Sequence, residues 1–345
     1  MGNRYNTGID ILDETIDGLI ALSGGSPHSD LIKEIVVTAI KLVQDGAGRG
    51  DLKIINSALK ELRYAFKIFR PYATQQKVTM FGSARTKEGD PAYIAAREFA
   101  RKIAERDWMV ITGAGPGIMQ AGIEGAGKEH AFGVSIRLPF EASAIEFFED
   151  DPKLINFKYF FTRKLCFAKE AEAIVLLPGG FGTLDEAYET LTLVQTGKSP
   201  IIPFVMLDTP GSEYWGPWQQ FIDEVLIPKG LITAEDKHLY LHTDNVDAAV
   251  EEVVGFYRNY HSMRYVRDLA VIRVKHPISA AMVKHANEQF ADILEDGEWV
   301  AGGPMPEEAN EEGIADLPRL IGKFDRRQYS RFRLLINLIN RHTPA

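Results

Sequence analysis

Two stretches carry residue types able to handle an anionic substrate. The first is PGGFGTLDE, Pro178 to Glu186, directly after the apolar run AIVLL and directly before the helix-like EAYETLTLVQTG. Gly179, Gly180 and Gly182 let the backbone turn sharply and approach a ligand, leaving N–H groups outward at a helix N-terminus, a geometry that suits phosphate. Thr183 adds a hydroxyl and Glu186 a carboxylate. The alternative is a plain strand-to-helix turn, in which Thr183 and Glu186 form a Thr-x-x-Glu capping box and only satisfy orphan donors. The second stretch, KYFFTRKLCFAKEAEA, sets Arg163 and Lys164 among aromatic residues. An unpaired buried charge is costly, so Arg163 calls for an anionic partner. That partner is phosphate or a catalytic carboxylate on one reading, and a structural ion pair with Glu170 or Glu172 on the other.

Two further turns fall at the ends of β-rich runs. TGAGPGIMQA from Thr112 follows WMVIT and brings Gly115, Gly117 and Met119; FGSAR follows VTMF and brings Gly82 and Ser83. Three such ends together would floor a shallow cleft for a flat, phosphorylated molecule. A dinucleotide fingerprint fits poorly: Gly113-x-Gly115-x-Gly117 lacks the G-x-G-x-x-G spacing, and the next run ends in Arg137 where NAD binders place an acid. A P-loop fails because no glycine cluster is followed by Lys-Ser/Thr. The eight histidines show no metal spacing, His238 and His242 flanking one apparent strand, and no structural metal is expected. No G-x-S-x-G elbow supports a serine hydrolase.

Positioning these loops requires alternating strands and helices. From Lys77 the runs VTMF, WMVIT, FGVSIRL, AIVLL, IIPFVML and HLYLHT are nearly continuous in apolar residues, as strands buried on both faces are. Helical or loop segments separate them, with Asp90-Pro91 and Asp244 or Asn245 opening helices. The alternation predicts a doubly wound, Rossmann-like parallel sheet over residues 75–262. Residues 1–74 read as a helical extension, with Ile9, Leu12, Ile16 and Leu19, then Leu31, Ile35, Ala39 and Leu42, then Leu59, Leu62, Phe66 and Phe69 at helical spacing. Its expected use is packing or subunit contact. Residues 263–345 read as a small α/β appendage: one apolar run (LAVIRV), a helix-like segment, an acidic stretch (Gly302–Leu317) and a basic helical tail. The tail's Arg326, Arg327, Arg331 and Arg333 are expected on a solvated face or against an acidic neighbour.

Over 345 residues the chain is 45% hydrophobic and 25% charged with 30 glycines, an ordinary globular composition. A net charge of −9 argues against nonspecific grip on nucleic acid or anionic membranes, so an anionic ligand must be held by local donors. The single Cys166 excludes an intrachain disulfide and reads as a buried, inert thiol. With no membrane-length apolar run and an acidic amino end, the expected location is cytoplasmic.

The PGGFGTLDE segment, with TRK and GAGPGIM upstream, resembles the Lonely Guy (LOG) family of nucleotide phosphoribohydrolases over roughly Lys77 to Tyr260. The resemblance implies the doubly wound fold and a dimer or larger homo-oligomer. It also implies cleavage of the N-glycosidic bond of a nucleoside 5′-monophosphate, AMP or a modified AMP, to free base and ribose 5-phosphate. It places the catalytic pair on Arg163 and Glu186, with the family's separation of 23 residues, and the phosphate loop on Gly179, Gly180, Gly182 and Thr183. Asp185 stands where the motif commonly has Glu, and the His near the arginine in plant-like members is missing beside Thr162. Ala114 interrupts a motif that is often all glycine, and its methyl is expected to narrow the pocket.

The chemistry also follows from the groups themselves. Breaking a ribosyl C–N bond builds positive charge on the sugar, which a carboxylate stabilises while it orients or deprotonates the attacking water. Glu186 in the first turn of a helix would be favoured as the ionised base. Arg163 would hold glutamate and ligand in register, with Lys164 beside it. No cofactor is needed, and a lysine decarboxylase, which uses pyridoxal phosphate, is disfavoured because nothing identifies a Schiff-base lysine. The competing reading from another class is a nucleotide-sensing module that binds without turnover.

Overall fold

The computed structural model describes residues 5–136, 151–308 and 313–342; Arg137 and part of the acidic stretch lie outside the described residues. The chain divides into two compact units, Met1–Tyr64 and Ala65–Ala345. The first holds α1 (Asp10–Leu22), α2 (Ser29–Gln44) and most of α3 (Arg49–Phe69). Asp10 and Asp13 open α1, where the helix dipole favours acids, and Asp13 also accepts from the Thr7 backbone N–H at 3.1 Å. Among the described residues of this unit, Ile16 and Val37 are the large apolar side chains that are buried.

The second unit is built on seven parallel strands: β1 (Lys77–Phe81), β2 (Met109–Thr112), β3 (Ala131–Ile136), β4 (Leu154–Phe157), β5 (Ala173–Leu176), β6 (Phe204–Leu207) and β7 (Leu241–Thr243). They lie in the order β4-β3-β2-β1-β5-β6-β7. The chain winds outward from β1 to β4, then crosses back to place β5 on the other side of β1. This reversal opens a crevice at the carboxyl ends of β1 and β5, where doubly wound sheets take ligands. Every residue of β1, β2, β5 and β6 is buried, which explains their nearly continuous apolar runs. The helices are α4 (Pro91–Ala104), α5 (Ile118–Ala126), α6 (Phe160–Glu170), α7 (Phe181–Gln195), α8 (Trp215–Phe221) and α9 (Val246–Gly255). α4 starts at Pro91 behind Asp90, and Asn245 caps α9 by accepting from the Ala248 N–H at 3.0 Å.

Two expectations about this sheet are corrected. β4, with its polar Asn156, escaped the search for apolar runs. HLYLHT supplies a strand only over Leu241–Thr243; His238 lies in a 3-10 turn, Ala234–Leu239, closed by a Thr233–Asp236 capping box, so His238 and His242 do not flank one strand.

Beyond it a second sheet forms from β8 (Tyr260–Val266), β9 (Leu269–Val274), β10 (Leu294–Gly302) and β11 (Arg319–Phe324), antiparallel in the order β10-β11-β9-β8. It is joined by α10 (Ala280–Phe290) and α11 (Tyr329–Arg341). Only β9 was legible as an apolar run, because β8, β10 and β11 mix polar and apolar residues on a sheet with one buried face. α11 packs on the core: Phe332, Leu335, Ile336 and Ile339 are fully buried, and the buried Arg333 meets the expected acidic neighbour in Glu252, with Asn337 as a second partner. Arg331 pairs with Asp292 at 2.9 Å, and the Arg326 guanidinium lies over the Tyr265 ring.

Candidate active site

Three loops converge at the crevice because backbone bonds stitch them together. The Ser83 N–H donates to the Pro178 carbonyl at 3.0 Å, and the Ile118 N–H donates to the Ser83 carbonyl at 3.1 Å. The turns after β1, β2 and β5 are thereby locked side by side. Glycine is required where they touch: a Cβ on Gly117, at φ +70°, would lie 2.3 Å from the Ser83 carbonyl oxygen. A Cβ on Gly179 would lie 2.1 Å from Thr183 Oγ1 and 3.0 Å from the Ser83 nitrogen. A Cβ on Gly82 would lie 2.7 Å from the Ile118 side chain. Gly180 and Gly182 have nothing within 4 Å of the Cβ position, so their open sides leave room for a ligand.

α7 begins at Phe181, with Gly180 as its N-cap and no side-chain cap. The Thr183–Glu186 capping box is therefore not formed, and Glu186 lies in the second turn rather than the first. The N–H groups of Thr183 and Leu184 fold back to the Gly180 carbonyl, each at 3.1 Å. Those of Phe181 and Gly182 are left without an intrahelical acceptor, which is the anion-binding end of a helix.

α6 delivers the cations. The Arg163 Nε donates to the Val134 carbonyl on β3 at 2.9 Å, and its guanidinium lies over the Phe167 ring. A Cβ on Gly113 would sit 2.5 Å from Arg163 Nη2 and 2.7 Å from Met119 Sδ, so the first glycine of that loop is there to admit the arginine. Met119 also covers Gly115, whose Cβ would meet its methyl at 2.6 Å. Neither Glu170 nor Glu172 engages Arg163: Glu170 pairs with Lys169, and Glu172 accepts from the Lys77 N–H. The ionisable group that Arg163 feels is Glu186. Lys164 bridges Asp185 at 2.9 Å and Glu189 at 2.5 Å, and its charge also acts on Glu186.

Burial pushes the Glu186 carboxyl up to about 7; Lys164 pulls against that rise, Glu189 and Asp185 add to it, and Arg163 opposes it. The expectation that a helix dipole keeps Glu186 readily ionised is overturned, because desolvation outweighs a dipole that is effective mainly in the first turn. Burial likewise lowers the Arg163 pKa, with Glu186 opposing. Ala114 adopts φ +55° and is buried in the hydrophobic core.

The sequence reading missed two supports. The Tyr214 hydroxyl, from the loop after β6, donates to the Gly179 carbonyl and braces the glycine loop, with no motif to mark it. Gly113 belongs to the GAGPGIM turn, but nothing in that motif marks its contact with Arg163.

Residues 117–253 match the family model described as possible lysine decarboxylase. Cytokinin riboside 5′-monophosphate phosphoribohydrolase LOG1 of Arabidopsis thaliana is 30% identical over 94 residues, 27% of this chain and 42% of the relative. Probable cytokinin riboside 5′-monophosphate phosphoribohydrolase LOG4 of Oryza sativa subsp. japonica is 28% identical over 156 residues, 44% of this chain and 64% of the relative. The chain thus matches about half the length of these relatives. Among solved structures, the molybdenum cofactor carrier protein of Chlamydomonas reinhardtii aligns at 18% identity and a TM-score of 0.35, over 51% of this chain and 94% of that one. The molybdenum cofactor binding protein of Rippkaea orientalis aligns at 15% identity and 0.35, over 51% and 94%. The motif resemblance to the Lonely Guy family is met by the family model and by curated members of that family, at low identity.

Proposed function

We propose that this cleft hydrolyses the N-glycosidic bond of a nucleoside 5′-monophosphate, AMP or an N6-modified AMP, to free base and ribose 5-phosphate. The observation that carries the reading is the Glu186 carboxyl, raised to about 7 by burial against the opposing charges of Lys164 and Arg163, on a helix whose N-terminal glycine loop suits phosphate. The loop and Thr183 take the 5′-phosphate, which sets the ribose against α7. Arg163, fixed by Val134, holds ligand and carboxylate in register. Water adds to the anomeric carbon as the C–N bond breaks. The ionised Glu186 stabilises the cationic sugar and accepts the proton of the water, while the electron pair of the C–N bond leaves with the base, which takes up a proton from solvent; Glu186 returns its proton to solvent, so water is the only species consumed. A carboxyl raised to about 7 by burial changes protonation state near neutrality.

A decarboxylase with a lysine Schiff base fits less well. Despite the burial of Lys164, its carboxylate partners Glu189 and Asp185 raise its pKa, whereas such a nucleophile needs the neutral amine. The test is incubation of the purified chain and its Glu186→Ala variant with AMP and other nucleoside monophosphates, following free base by chromatography. Release by the wild type alone supports the hydrolase; binding without release from any monophosphate rejects it in favour of a sensing module.

A further inference from the structure

We infer that the N-terminal helices form an interface with a second copy of this chain, α1 of each copy lying on α3 of the other. The inference goes beyond the proposed reaction and does not depend on it. Leu52, Ile55, Leu59 and Leu62 on α3 recur at alternating steps of three and four residues, the spacing of a coiled-coil seam. Leu52, Ile55 and Leu59 are nevertheless 40%, 42% and 50% exposed. Residues 51–56 are exposed on every side of the helix. On α1, the side away from the buried Ile16 shows Ile11 at 70% and Leu22 at 87% exposure, three helical turns apart. Ile16 and Val37 are too small a core to hold a unit of this length, and units of this size that cannot bury enough apolar surface are completed by association.

Charge selects the occupant. α1 carries Asp10, Asp13, Glu14 and Asp17 with no Lys or Arg. α3 carries Arg49, Lys53, Lys60 and Arg63 along one flank of its seam, against Asp51 and Glu61 elsewhere on the helix. Two α3 helices face to face would set that basic flank against itself, whereas α1 brings acids to it. Each copy offers one α1 and one α3, so the exchange is satisfied at two copies by a two-fold axis.

The test reverses exposed charges in the full chain and reads mass by light scattering, with circular dichroism confirming helix content. One variant is Asp10→Lys with Glu14→Lys; the other is Lys53→Glu with Lys60→Glu. Asp13 and Asp17 are spared because they bond Thr7 and Lys33. Each variant alone is expected to show a smaller mass than the wild type, and an equimolar mixture to regain the wild-type mass, since only the mixture restores opposite charges across both contacts. A wild-type mass in both single variants overturns the inference. So does failure of the mixture to recover, which points to a different partner, and so does unimpaired assembly of the α3 variant alone, which points to α3 against α3.

Discussion

At the scale of single residues, Glu186 and Gly113 decide what the cleft can do. A carboxyl at about 7 in the folded chain lies above its ordinary value, so the folded state holds the proton more tightly than the unfolded chain. The resulting stability is full below the unfolded pKa and is lost as pH rises through about 7. Glu186→Gln should therefore flatten the pH dependence of stability between those limits. It should raise stability at pH values above the transition by up to about 3 kcal/mol in urea titrations. Activity should run the other way. For a base, kcat/KM on AMP rises with pH to a plateau above about 7, and the variant loses ~10²–10⁴-fold with no such limb. Gly113→Ala puts a methyl 2.5 Å from Arg163 Nη2, so the arginine must move. Its kcat should fall by roughly 10²-fold with a thermal melt close to wild type, because the loss is one of alignment. Arg163, Glu186 and the glycine loop stood out in the sequence by residue type, and their assignment as one site came from the family resemblance. The titration of Glu186 was not, because desolvation depends on what covers the carboxyl.

At the scale of elements, the C-terminal sheet holds a charged cluster that the sequence hides. Glu308, fully buried, accepts from Arg273 on β9 at 2.8 and 2.6 Å and from Arg319 on β11 at 3.2 Å. Arg319 spends its other donors on the carbonyls of Ile314, Ala315 and Leu317, which ties the loop before β11 to the sheet. Removing one partner of a buried pair leaves charge uncompensated, so Glu308→Ala should cost about 3–5 kcal/mol by denaturant titration. Glu308 sits in an acidic stretch, Arg273 inside the apolar run of β9 and Arg319 at the start of a short mixed run, so nothing local marks them as partners. The elements read well from sequence are those buried on both faces, such as β1, β2, β5 and β6. Those read poorly have a single buried face or a short span.

At the scale of the whole molecule, α11 links the second sheet to the helix that carries Glu186. Gly197, just past α7 at φ +67°, leaves no room for a side chain: a Cβ would lie 2.0 Å from the Tyr329 ring at the start of α11. Asn340 near its other end accepts from the Asn259 and Tyr260 N–H groups, each at 2.9 Å, and donates to the Phe256 carbonyl at 2.6 Å. Gly197→Ala should lower stability by at least the ~1–3 kcal/mol of a strained backbone. It should also reduce turnover, since α7 can no longer seat against α11; thermal melts and the AMP assay together check this. Local pattern was sufficient for the alternation of strands and helices, the doubly wound class and the identity of the glycine loops, since each depends on neighbours within a few turns of chain. Three things needed the folded molecule: the order of strands that brings the ends of β1, β2 and β5 together, the burial that moves Glu186, and the docking of α11 on the core. All three are contacts between residues far apart in sequence, and periodicity and propensity carry no record of which distant surface a face will meet.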